Sequence, residues 1–162
     1  MTVVLVTGMS GAGKSTALGL LAQRGFRVVD TSHGDWIELE QLPDGGTEPR
    51  WREDLIAALL TEHERSGLPL FLAGTVYNQG VFYPRFDEVV LLTAPVSVML
   101  ERVACRDNPF GRTAEQRTKI AADTAEVEPL LRGSATLEID TRAPRDEVAD
   151  RLAALVESST VD

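Results

Sequence analysis

The sequence predicts an α/β fold, a parallel sheet with helices on both faces. Three observations carry that expectation. Strand-like and helix-like segments alternate along all 162 residues. The first run, Val3-Val4-Leu5-Val6-Thr7, is continuously apolar and rich in β-branched residues, as a strand buried on both faces requires. A glycine-rich break at 8–13 then separates this run from a helical pattern.

The elements follow in order. A helix is expected over about 14–23, with Leu18, Leu20 and Leu21 inward and Gly25 ending it. Residues 26–30 read as a second strand. From Thr31 to Pro49 the pattern weakens, and Leu42-Pro43-Asp44-Gly45-Gly46 reads as a turn or mobile loop. Trp51, Leu55, Ile56, Leu59, Leu60 and His63 fall at helical spacing and predict a helix over about 50–65, with His63 partly exposed near its end. Residues 68–73 are a third strand ended by Gly74, and 88–93 a fourth. Pro95 opens the next helix, whose stripe is Val96, Met99, Leu100 and Val103; Cys105, beside that stripe, reads as structural. Asn108-Pro109 breaks the chain. Thr113-Ala114-Glu115-Gln116 matches a capping box and starts a helix to about Leu131. Residues 136–140 are a fifth strand. A last helix, about 144–157, buries Val148, Leu152 and Leu155 and leaves 158–162 as a frayed tail.

Composition bounds the function. A length of 162 residues suits one domain, 1–162, with a core that needs no staples. No apolar run approaches the roughly 18 residues of a membrane span. The first residues lack a basic secretory n-region, so the cytoplasm is the expected location. One cysteine rules out an internal disulfide, and two histidines argue against a multi-histidine metal centre. A net charge of -9 argues against nucleic acid and anionic membrane as partners. The oligomeric state is left open between monomer and homodimer.

Gly8-Met9-Ser10-Gly11-Ala12-Gly13-Lys14-Ser15 fits G-x-x-x-x-G-K-[ST], the Walker A pattern, between a strand and a helix, where its physics demands. Glycines let successive N–H groups converge on one anion, and the helix that follows adds its positive end. Ser10, Gly11, Ala12, Gly13, Lys14, Ser15 and Thr16 are therefore the candidate nucleotide-binding residues. Lys14 is expected to reach the β- and γ-phosphates and the Ser15 hydroxyl to hold Mg²⁺. No N-K-x-D follows, so guanine readout of the GTPase type is missing and ATP is the expected nucleotide. Leu70-Phe71-Leu72-Ala73-Gly74 ends without the Asp that motor ATPases place beside the metal. Asp30 closes the second strand, at the crevice where parallel sheets bind ligands. There it can orient an acceptor hydroxyl, take its proton or hold Mg²⁺ through water; a turn or helix-cap role is the alternative.

The stretch Gly-Met-Ser-Gly-Ala-Gly-Lys-Ser-Thr at 8–16, Val28-Val29-Asp30, and Pro95 with Leu100-Glu101-Arg102 and Arg106 resemble the shikimate kinase, adenylate kinase and nucleoside monophosphate kinase group. The resemblance implies a three-layer P-loop fold, a five-stranded sheet in the order 2-3-1-4-5, and a short lid at about 107–117. It makes Asp140-Thr141 to Pro144 the adenine-proximal loop, with Arg142 beside the cofactor. Arg102, Arg106, Arg112, Arg117 and Lys119 outnumber Glu101, Asp107 and Glu115 around the lid. Arginines there would stabilise charge on the moving phosphoryl group, Arg106 and Arg112 foremost. Arg102 could share that task or sit on a solvated face, while Arg117 and Lys119 read as surface residues.

The same resemblance makes about 31–52 the acceptor-side segment, in which Trp36 walls the pocket and Arg52 grips a phosphate or carboxylate. Trp51 could wall the pocket or pack in the core. Ser32 stands where shikimate kinases often carry a second Asp, and Asp35 could partly replace it. Gly74, Thr75, Tyr77, Asn78 and Gln79 form the loop after the third strand and offer neutral groups to an acceptor. The implied activity is transfer of the γ-phosphoryl of Mg-ATP to a nucleotide, nucleoside or polyhydroxylated metabolite. Lys14, Asp30, Arg106 and Arg112 would be catalytic and Ser15 and Asp30 the metal ligands. The alternative is an ATP-binding regulatory switch with slow hydrolysis and a protein partner.

Overall fold

A computed structural model describes residues 3–9, 11–32, 34–104 and 114–157. Five parallel strands form the main sheet: β1 (Val3–Thr7), β2 (Arg27–Asp30), β5 (Leu70–Ala73), β6 (Glu88–Thr93) and β7 (Leu137–Asp140). Their spatial order is β2-β5-β1-β6-β7, which is the expected 2-3-1-4-5 when only the strands of this sheet are numbered. β1 lies at the centre, with Val4 opposite Phe71 on one side and Glu88 on the other. Every residue of β1 is buried.

Alternation along β1 divides the core. Val4 and Val6 face one layer with Leu18 and Leu21 of α1 (Lys14–Gln23) and Val148, Leu152 and Val156 of α5 (Arg145–Glu157). Val3 and Leu5 face the other, with Ile56, Leu59 and Leu60 of α2 (Glu53–Ser66) and with Phe82 and Phe86. Helices thus cover both faces of the sheet. α3 (Val96–Ala104) and α4 (Ala114–Ser134) follow β6 and pack on each other. α4 continues past the expected end at Leu131. Among the described residues no helix is long and apolar enough to cross a membrane.

The acceptor-side segment departs from the expectation of loosely patterned chain. It is a two-stranded antiparallel hairpin, β3 (Ile37–Gln41) and β4 (Thr47–Trp51), with Ile37 opposite Trp51 and Leu39 opposite Pro49. Ile37-Glu38-Leu39-Glu40 alternates with period two, the strand signal, but Pro49 in the partner masks it. The two-stranded ribbon tolerates the proline because no third strand needs its missing N–H. The turn at 42–46 closes as expected: Leu42 N donates to Gly46 O at 2.8 Å, and Gly46 N donates to the Asp44 carboxylate at 2.9 Å.

The hairpin also moves the start of α2. Trp51 belongs to β4 rather than to the helix, and α2 starts at Glu53 with Glu53 and Asp54 in its positive first turn. Trp51 is fully buried. Its indole N–H donates to Thr31 Oγ1 at 2.9 Å, and its ring meets Phe82 and Phe86 edge-on or tilted. His63 is fully buried too, not partly exposed, because it continues the Ile56, Leu59, Leu60 stripe inward. Leu155 is half-buried, where full burial was expected.

Asn78 fastens the hairpin. Its Oδ1 accepts from Trp51 N at 2.8 Å, and its Nδ2 donates to Trp51 O at 3.0 Å, so one amide satisfies both backbone groups of a buried residue. Asn78→Leu would leave both without partners, and a loss of about 2–4 kcal/mol in stability is expected. Urea denaturation measures it; a loss below about 0.5 kcal/mol would mean that the pair carries little of the fold.

Candidate functional site

β1 delivers the chain into the phosphate loop at the C-terminal edge of the sheet. Gly11 has φ +85°, and a Cβ there would lie 2.6 Å from Met99 O, so only glycine fits against α3. Gly13 caps α1 without a side-chain hydrogen bond, and no acid stands in the first turn. The amide groups at this helix start are therefore left for an anion. The Lys14 ammonium turns back to donate to Gly8 O and, at 3.2 Å, to Thr75 Oγ1.

Ser15 Oγ donates to Asp30 Oδ2 at 2.7 Å. Ser32 donates to the other oxygen, Oδ1, from both its N, at 3.1 Å, and its hydroxyl, at 2.6 Å. The end of β2 thus brings a carboxylate to the second hydroxyl-bearing position of the loop. Hard oxygen donors this close, and open to solvent, suit Mg²⁺ with water completing its shell. Of the expected nucleotide-side residues, Ser10, Arg106 and Arg112 lie outside the described residues, as do Cys105, the tail 158–162 and residues 107–113 of the expected lid 107–117, whose last four residues are instead the first turn of α4. Within α4, Arg117 is exposed, and Lys119 pairs with Asp123 at 3.0 Å.

A cleft of about 280 Å³ opens beside the start of α1, lined by Gly13, Thr16, Leu20, Arg102, Thr141 and Arg145 among others. Arg102 is tied into its wall. One guanidinium nitrogen donates to Gly11 O at 3.0 Å and Thr141 Oγ1 at 2.8 Å, and the other donates to Thr141 O at 2.8 Å. The expectation of a phosphate-facing or solvated Arg102 gives way to a brace between the phosphate loop and the β7–α5 turn. Arg142 does not line this cleft; it turns onto Asp140 at 2.7 Å, and Arg145 lines the cleft instead. The Asp140 carboxyl is held below its usual range, first by the side-chain hydrogen bond from Arg142 and then by the Arg142 backbone N–H.

The acceptor side divides differently from expectation. Trp36 and Asp35 line a second cleft of about 450 Å³ with Arg27, Val29, Leu55 and Glu62, between β2 and α2. Arg27 and Glu62 pair across it at 3.5 Å, a contact without any sequence signal. Arg52 is exposed just before α2, its N–H donating to Trp36 O at 2.7 Å. Tyr77 is 79% exposed. Gly74 packs close to Trp51, since a Cβ there would sit 2.8 Å from its ring and 2.5 Å from Thr31 Oγ1. Asn78 and Gln79, expected to offer their amides to an acceptor, are 7% and 3% exposed and face inward. Asn78 holds Trp51, while Gln79 accepts from Val76 N at 3.0 Å and donates to Tyr83 OH at 2.9 Å.

Two outcomes test this geometry. Arg102→Met is expected to weaken ADP binding by about tenfold, measured by titration calorimetry, as the loss of a charge-assisted brace implies. Affinity equal to wild type would exclude Arg102 from organising the loop. The second concerns pH. A depressed carboxyl contributes above its unfolded value and ceases to as pH falls through its folded value. Asp140 should therefore titrate below 3.8 by NMR, and Arg142→Ala should bring it back up towards 3.8.

Comparison with known proteins places the chain. It superimposes on a shikimate kinase from Acinetobacter baumannii in complex with shikimate with a TM-score of 0.65, at 24% identity, covering 100% of this chain and 96% of that one. A shikimate kinase from Bacteroides thetaiotaomicron gives 0.63 at 17% identity, covering 96% and 98%. An unliganded sugar kinase from Janibacter sp. HTCC2649 gives 0.60 at 18%, covering 97% and 95%. Two curated relatives are each named nucleotide-binding protein. That of Acidobacterium capsulatum is 30% identical over 86% of this chain and 44% of its own length. That of Mycolicibacterium gilvum is 32% identical over 87% and 42%. The chain thus spans less than half the length of the curated relatives it matches. The model of an AAA-domain family matches residues 4–128. With the fold of P-loop small-molecule kinases and a match over most of its length, the chain belongs to this AAA-domain family.

Proposed function

We propose that the protein is an ATP-dependent phosphotransferase that moves the γ-phosphoryl of Mg-ATP to a small acceptor. The observation that carries this reading is the 2.7 Å contact between Ser15 Oγ and Asp30. It joins a phosphate-binding loop to a carboxylate able to face an incoming hydroxyl. Ser15 and Asp30 would hold Mg²⁺, which would supply positive charge to offset that of the phosphates.

Lys14 swings from Gly8 O to the phosphate oxygens. Arg106 and Arg112, outside the described residues, would balance charge on the moving phosphoryl group. Asp30 orients the acceptor hydroxyl. A bond forms between the acceptor oxygen and the γ-phosphorus, and the bond from that phosphorus to the bridging oxygen breaks. ADP leaves, and the acceptor proton passes to Asp30 or to solvent. Trp36, Arg52, Gly74, Thr75 and Tyr77 shape the acceptor side, with Asn78 and Gln79 supporting them from beneath. A nucleotide, nucleoside or polyhydroxylated metabolite fits their mixture of aromatic, hydroxyl and cationic groups. The cytoplasm, where ATP is abundant, goes with this reading.

A second reading, a nucleotide-dependent switch with slow hydrolysis and a protein partner, uses the same phosphate loop, and the longer relatives are named only nucleotide-binding protein. ADP release from Mg-ATP, measured with nucleoside monophosphates, nucleosides, shikimate and sugars, separates the two. Acceptor-dependent turnover that Lys14→Ala lowers at least about a hundredfold is expected. Slow hydrolysis indifferent to every acceptor would overturn the phosphotransferase in favour of the switch.

A further inference from the structure

Thr75 sits where two parts of the site meet. Its hydroxyl donates to Gly8 O at 2.6 Å and accepts from Gly8 N at 3.1 Å and Lys14 Nζ at 3.2 Å. Thr7 Oγ1 stands at 3.0 Å from the same oxygen. A hydroxyl has one proton to donate and two lone pairs to accept with. Four polar neighbours therefore compete for three places, and Lys14 holds one of them.

Beyond Thr7 the contacts continue in one direction. Gln79 Nε2 donates to Thr7 Oγ1 over a long 3.3 Å. Gln79 opens the 3-10 helix Gln79–Arg85, and the residue before it is Asn78, whose amide clasps both backbone groups of Trp51 at the root of the hairpin. Thr75 and Gln79 thus connect the phosphate loop to the acceptor-side hairpin through buried or half-buried groups, in a setting where such bonds are strong.

We infer that Thr75 is a positioning residue that couples nucleotide occupancy of the phosphate loop to the order of the β3–β4 hairpin; the inference rests on nucleotide binding as read above. A bound γ-phosphate draws Lys14 off Thr75 and vacates a lone pair. Thr7 then donates its proton to Thr75, and its own oxygen becomes a better acceptor for Gln79. The Gln79–Asn78 corner tightens, and with it the clasp on Trp51. By reciprocity, an acceptor or partner that orders the hairpin strengthens nucleotide binding by the same factor.

Hydrogen exchange read by mass spectrometry, with and without Mg²⁺ and the non-hydrolysable analogue AMP-PNP, tests this. The readout is the ratio of exchange rates, bound over unbound, so a general loss of stability cancels. In the wild type, AMP-PNP is expected to slow exchange at 14–23 and to slow it at 37–51 at least about fivefold. Thr75→Ser, which keeps the hydroxyl, should preserve both effects. Gln79→Met, which removes the bond to Thr7 and leaves the partners of Gly8 and Lys14 in place, should preserve slowing at 14–23 and abolish it at 37–51. Hairpin slowing that persists in the variant, or a wild-type hairpin unchanged while 14–23 is slowed, would overturn the coupling and leave nucleotide binding intact. No slowing at 14–23 in the wild type would refute nucleotide binding itself, and the coupling with it.

Discussion

The C-terminal edge of the sheet depends on how the loop between β1 and α1 is held from its two sides. A loop that aims its N–H groups at an anion has carbonyls facing away, and those need partners. Arg102 and Thr141 take the carbonyls of Gly11 and Ala12 from the α3 and β7 side. Thr75 takes both backbone groups of Gly8 from the β5 side. The loop is thereby shaped by neighbours drawn from far along the chain, in keeping with preorganised binding. β1 fits this duty because parallel partners on both edges leave its end little freedom.

The hairpin is held just as firmly at one end. Its inner end is pinned by a buried indole, a threonine and an asparagine. Its outer end is a polar turn, exposed over 43–46. The pinned end keeps Asp35 and Trp36 beside the cleft that they line. The Arg27–Glu62 pair at that cleft is exposed enough for its net contribution to stability to be small.

Much of this was legible in the residues. Local patterns carry the order of strands and helices, and a fixed spacing carries the phosphate loop. The parts that escaped share a physical cause. Trp51 lies four residues before Leu55 and eight before Leu59, so an extended residue ahead of α2 mimics the helical stripe. Pro49 hides a strand that a ribbon can accommodate. Asn78 and Gln79 read as ligand-binding amides because an amide looks the same whether it faces a metabolite or a buried backbone. Arg102 addresses backbone oxygens 39 and 91 positions away in the chain, and no local pattern announces such a target.

One feature of the hairpin has an optical side. The chain contains two tryptophans, and both stand at its root, Trp36 just before β3 and Trp51 at the end of β4. One is half-buried beside the β2–α2 cleft and the other sealed among phenylalanines. Intrinsic emission excited at the indole band therefore comes entirely from the hairpin root, as a red-shifted and a blue-shifted component from neighbouring residues. The phosphate loop is dark by comparison, so any change in colour on adding a ligand reports the hairpin root without a label.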